Sequence, residues 1–159
     1  MSHTPVVTHS EYTIELFLPM LDIKKLENIF KDYPYIASAY LFGSYSSSKA
    51  GPMSDVDIAL LLKGNAPEGR KLIHEEDYLA YRIGKILGVN EVDLIDLNSQ
   101  KLILCHNVLK TGRLIYDADT AFRIKFEMRV ISNFCDFEPT LSFMERFHLQ
   151  GIIKRCMNL

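Results

Sequence analysis

From Val56 to Leu62 the chain runs Val-Asp-Ile-Ala-Leu-Leu-Leu, apolar at every position but one. Such a run has the length of a strand and no polar face to offer water. It therefore belongs at the centre of a sheet covered on both sides. The next segment fixes a neighbour for it. A Lys-Gly-Asn-Ala-Pro turn leads into Glu68–Leu87, where Leu72, Ile73, Leu79, Ile83, Ile86 and Leu87 are apolar and charge fills the gaps, and Gly88 closes the segment. A further strand is expected over Glu91–Leu97. Strand, long helix, strand is the pattern of a parallel crossover, so both strands start at the same edge of the sheet.

The flanking segments complete the outline. A helix is expected over Leu21–Lys31, with Leu26, Ile29 and Phe30 on one face and Pro34 as its stop, then a strand over Tyr35–Phe42. The polar stretch Ser44–Ala50 has room for a short helix before the Gly51-Pro52 breaker. Ser99 is placed to cap a helix over Gln100–Leu109 that Gly112 closes, and Arg113–Tyr116 reads as a short strand. From Ala118 a helical pattern carries Phe122, Phe126, Val130 and Phe134, and Pro139 is expected to break or kink it before a last helix, Leu141–Met157. The fold expected is α+β: a small mixed sheet flanked by helices, with a helical C-terminal extension. Its parts are an arm over 1–20, one domain over 21–138 and a tail over 139–159.

Composition removes several functions. No segment approaches the ~20 apolar residues that span a bilayer, and Met1–Ser10 lacks the basic and apolar regions of a secretory signal. Cys105, Cys135 and Cys156 are odd in number and lack metal-ligand spacing, so free thiols in a reducing cytoplasm are expected. No two of the five histidines stand at i,i+4, which leaves no zinc motif. A net charge of −2 argues against holding nucleic acid through bulk electrostatics.

The chemistry gathers between Phe42 and Asp57. Gly43 allows the backbone to pass close to a phosphate and Ser44 adds a hydroxyl donor. Asp55 and Asp57 alternate onto one side of their strand about 6–7 Å apart. Two carboxylates so close repel unless cations lie between them. Magnesium commonly uses one or two carboxylates with substrate phosphates, and paired ions can serve both attacking and leaving oxygens. Of the candidates for a third acid, Asp93 lies near the start of its strand and Asp96 about 10 Å further along. The shared edge selects Asp93, which could ligate metal and help deprotonate an incoming hydroxyl.

Gly43-Ser44, ten residues, then Asp55-Val56-Asp57 preceded by Ser54 resembles the signature of minimal nucleotidyltransferases in the DNA polymerase beta-like superfamily. The Val92-Asp93-Leu94-Ile95 strand fits as well. Asn107-Val108-Leu109, Gly112–Tyr116, Arg123 to Phe126-Glu127 and Phe134-Cys135-Asp136 are similar to the C-terminal part of the antitoxin branch of HEPN/MNT toxin–antitoxin systems. The resemblance implies magnesium-dependent transfer of AMP from ATP to a tyrosine of a HEPN-domain ribonuclease toxin, which silences it. It also implies Gly43, Ser44 and Ser54 at the triphosphate, and Asp55, Asp57 and Asp93 as metal ligands and catalytic acids, with two magnesium ions. Modification of a small molecule such as an aminoglycoside, and neutralisation by masking alone, are the alternatives. Homo-oligomers and hetero-oligomers with the toxin are both open.

Other residues divide between bland and functional roles. Lys49 and Ser46–Ser48 either form a solvated loop or reach phosphate. Arg82 and Lys85 either face water or bind phosphate. The Phe122/Phe126/Val130/Phe134 stripe is core or partner surface, and Tyr116 packs at the end of its strand. Phe143, Met144 and Phe147 either pack or form an apolar patch for a partner or a second copy.

Overall fold

The computed structural model describes residues 23–45 and 55–157. Helix α1 (Ile23–Phe30) leads to strand β1 (Ile36–Phe42) and a single 3-10 turn, Gly43–Tyr45. Then come β2 (Val56–Leu62), α2 (Arg70–Leu87), β3 (Val92–Asp96), α3 (Leu102–Thr111), β4 (Arg113–Asp117) and α4 (Thr120–Met157). The expected arm, Lys49, Ser46–Ser48 and Ser54 lie outside the described residues.

The sheet has the order β3-β2-β1-β4. β2 and β3 are parallel, joined by α2 as the crossover, whereas β1 is antiparallel to both β2 and β4. Every apolar residue of β2 is buried, as its composition requires. Strand alternation, with a register shift between Ile36 and Ser38 in β1, sends Ile36, Ala39, Leu41, Ile58, Leu60 and Leu62 to one face, against Leu26 and Phe30 of α1 and Leu79 and Ile83 of α2. Ala37, Tyr40, Ala59 and Leu61 go to the other, against Cys105 and Val108 of α3 and Phe126 and Val130 of α4. Burying each such large aliphatic side chain contributes about 1.5–3 kcal/mol.

Two local expectations are corrected. Ser99 does not cap α3: its hydroxyl donates to the Asp96 carbonyl at 2.9 Å, and the helix begins beyond Lys101, which supplies no side-chain cap. The turn instead serves the sheet. The Asn98 side chain accepts from the Leu62 N–H (3.0 Å) and donates to the Leu62 carbonyl (3.1 Å), pairing with the end of β2 as a strand residue would.

Pro139 does not break α4, which runs unbroken for 38 residues, about 57 Å at 1.5 Å per residue. A proline removes one N–H and frees the carbonyl four residues earlier. That carbonyl belongs to Cys135, an exposed residue, so water can satisfy it. Phe126 and Val130 join the core while Phe122 is 37% exposed, so the aromatic stripe is core only in its middle. Phe134 stacks on His106 with ring centroids 3.5 Å apart. Beyond Pro139, Phe143, Met144 and Phe147 are exposed.

Candidate active site

β1 ends where the site begins. Phe42 is the register partner of Asp57, and Asp57 is the register partner of Asp93. Neighbouring strands lie about 4.8 Å apart, so the end of β1 and the two acids form one row across three strands. Asp57 and Asp93 alternate to the face that carries α3 and α4, as do their strand-mates Ala59 and Ile95. Asp55 stands just ahead of β2 and is exposed.

Gly43 opens the 3-10 turn with φ +70°, a conformation that favours glycine. A Cβ there would lie 2.9 Å from Asp57 Cγ and nearer still to its Oδ2. The turn backbone thus rests directly on the Asp57 carboxylate. A side chain at 43 would require the Asp57 carboxylate or the turn to move, a reason for glycine there that adds to the positive φ.

Burial, reinforced by the charges of Asp93 and Asp55, holds the Asp57 carboxyl above the usual carboxylate range. Among the described residues no three His, Cys, Asp or Glu side chains are gathered closely enough to complete a cation site by themselves. The donor set still fits magnesium, a hard cation that takes one or two carboxylates and fills its shell with water and substrate phosphate oxygens.

Asp96 lies at the opposite end of β3, beside Leu60. Burial raises its carboxyl, although the Asn98 N–H at 2.9 Å partly offsets the effect. Burial and the Asp96 charge raise Glu76 on α2 as well. Arg82 is held by Asp32 at 2.7 Å. The Lys85 ammonium sits 5.5 Å from the centroid of the Tyr81 ring. Tyr81, which falls outside the apolar periodicity of α2, lines with Lys85 a cleft of about 600 Å³ that reaches Asp93. The signal available in sequence is an aromatic–cation pair at i,i+4 one turn before Gly88.

A mixed four-stranded sheet between helices, with acids at the heads of adjacent parallel strands beside a glycine turn, defines a nucleotidyltransferase of minimal size. Residues 24–121 match the family described as Polymerase beta, Nucleotidyltransferase, and the chain belongs to that family. It is 30% identical over 112 residues to the protein adenylyltransferase MntA of Shewanella oneidensis, spanning 68% of this chain and 76% of that one. A toxin–antitoxin crystal structure with AMP-PNP aligns with 86% of this chain and 99% of its own at a TM-score of 0.61 and 28% identity. A complex of the tri-AMPylated Shewanella oneidensis HEPN toxin with its MNT antitoxin aligns with 91% and 98% at a TM-score of 0.55 and 26% identity. Among the described residues no helix is long and apolar enough to cross a membrane.

Proposed function

We propose that this chain is an antitoxin that transfers AMP from ATP to a tyrosine of a HEPN-domain toxin, silencing it. The observation that carries the proposal is the likeness, over 91% of the chain, to an MNT antitoxin bound to its AMPylated HEPN toxin. The AMP-PNP complex of a second similar structure supports ATP as the donor.

In this reading Gly43 and Ser44, with Ser54, hold the triphosphate. Asp55 and Asp57 hold magnesium, which supplies charge neutralisation at the phosphates, and Asp93 is the third acid. The phenol oxygen forms a bond to the α-phosphorus while the bond to the β-phosphate oxygen breaks and pyrophosphate departs. The phenol proton passes to the Asp93 carboxylate or to solvent. The raised carboxyl of Asp57 supports this role, because a costly cluster of like charges is retained where a cation relieves it.

Incubation with labelled ATP, magnesium and the HEPN protein encoded alongside tests the assignment. Label is expected on a tyrosine of that protein, and no transfer by the native chain sinks the claim. The Asp55→Ala/Asp57→Ala chain should fold, transfer nothing and fail to neutralise. Full neutralisation by it would favour masking.

A further inference from the structure

Val130 is the last buried residue of α4 among those described, yet the helix continues for about 40 Å beyond it. Along that length Phe143, Met144 and Phe147 are each 59% exposed, and the Phe143 and Phe147 ring centroids lie 4.6 Å apart. A helical segment without tertiary cover is marginal in water, and a contiguous apolar patch on it marks a surface that another molecule covers. We infer that the cover is a second copy of this chain, its α4 laid antiparallel on the first about a two-fold axis beside Glu145.

The order of residues along the exposed side of the helix selects that occupant. Phe143 and Phe147 stand two positions before and two after Glu145. Asp136 and Lys154 stand nine before and nine after it. Their separation of eighteen residues is five whole turns, so both fall on one side of the helix. Steps of four, three and four residues lead from Asp136 through Thr140 to Phe143 and Phe147 on that same side, and Asp136 and Thr140 are exposed as well. The side therefore runs acid, phenylalanine, phenylalanine, base, symmetric in position about residue 145 and opposite in charge at its ends. A second copy running the other way presents the same side with its charges exchanged. Each Phe143 then meets the partner's Phe147, and each Asp136 position meets the partner's Lys154 position, twice over, as an isologous pair requires. A parallel pair would set acid beside acid and base beside base, and would align the two helix dipoles unfavourably.

The size of the patch sets the strength of the pairing. At their exposure the two rings offer about 120 Å² each, and with Met144 the patch reaches a few hundred Å², a size met at interaction sites. A standard interface takes about 800 Å² from each partner, so the expected dimer forms and dissociates with concentration instead of being obligate. The axis lies fifteen residues beyond Val130, which leaves Val130 of one copy about 45 Å from the partner's Val130. The two sheets are thus held at opposite ends of the paired helices.

Light scattering and sedimentation of the full chain over a range of concentrations test the pairing. The mass should climb from 18.3 kDa toward twice that value. Phe143→Ser with Phe147→Ser should raise the dissociation constant at least about 30-fold. Both side chains are exposed, and an unchanged melting temperature will show that the domain is intact. Asp136→Lys alone, or Lys154→Asp alone, should raise the constant about tenfold, and the two reversals in one chain should return it to within about twofold of native. Glu138→Lys, which lies on the other side of the helix, should leave it within about twofold. A chain that stays at 18.3 kDa at every concentration overturns the inference, as does a dimer indifferent to the two phenylalanines. Failure of the paired reversal to restore association overturns the antiparallel arrangement. A free chain that stays monomeric while the phenylalanine variant loses its hold on the HEPN protein would assign the patch to that protein and equally overturn the second copy. None of these readings depends on AMP transfer.

Discussion

Substituting alanine at Gly43 tests whether the contact between the 3-10 turn and Asp57 organises the site. Gly43 has φ +70°, and an alanine held there costs about 1–2 kcal/mol. Its Cβ would lie 2.9 Å from Asp57 Cγ, well inside van der Waals contact, so either the carboxylate swings away or the turn opens. Forcing Asp57 off its rotamer adds about 0.5–1.5 kcal/mol. The sum, about 1.5–3.5 kcal/mol, lowers the melting temperature by about 3–14 °C in a chain of this size. Catalysis should suffer more than stability, because a displacement of about 1 Å costs about 10²-fold in rate. Gly64→Ala is the control: no atom lies within 4 Å of a Cβ there, and it should melt and turn over as native. Melting curves and single-turnover AMP transfer on the two variants decide the matter. A Gly43→Ala chain with native rate and native melting temperature would refute the contact. Native rate with a lowered melting temperature would show that Asp57 is not held for catalysis.

The pH dependence of stability is set in part by Asp57. Its folded carboxyl binds a proton more tightly than the unfolded one, so the ionised form costs stability. That cost is absent below the ordinary carboxylate range, near pH ~4, and complete once pH has passed the raised folded value. Asp57→Asn should therefore melt above the native chain at pH ~7.5, with the gap closing at about pH 3.5; equal melting at the higher pH would contradict it. Arg123 bonds Asp117 at 3.0 Å and Glu127 at 2.9 Å, and Glu127 accepts from the Tyr40 hydroxyl at 2.7 Å. Arg123→Ala leaves these partly buried acids with hydroxyl donors but no counter-ion and should cost about 2–3 kcal/mol in urea unfolding, whereas Arg82→Ala at the more exposed Asp32 pair should cost under about 1 kcal/mol.

Local sequence reveals an element where its residues tolerate a single environment. β2 is legible because an apolar run admits no other setting, and α2 because its ends carry turn chemistry, with Gly88 adopting the left-handed φ of 66° that its position demands. The parallel relation of β2 to β3 comes from crossover length. The register that sets Asp93 directly opposite Asp57 depends on how α2 seats on the sheet, which no local rule contains. Pro139 misleads as a breaker because a proline removes one hydrogen bond of the helix ladder and crowds one carbonyl, that of the exposed Cys135, while the turns on either side keep theirs. Ser99 misleads because a hydroxyl before a helix has competing acceptors, and the Asp96 carbonyl wins. Tyr40 and Glu127 stand 87 positions apart, beyond any window of periodicity. The edge cleft depends on which strand is left outermost, a property of the assembled sheet.

The edge position of β3 ties the site to the order in which the protein opens. Asp57 and Asp93 are 36 positions apart in the chain, so their meeting belongs to late, long-range closure. Among the described residues β3 is bonded on one side alone, to β2, and mutual repulsion of the acids works against that seam at its head. Local opening, as amide exchange would record it, therefore begins at Val92 and Asp93 before the core of β1 and β2 loosens, where Leu41, Ile58 and Leu60 are buried. Whatever neutralises the acids relieves that repulsion, so occupancy of the site and integrity of the sheet edge are thermodynamically linked.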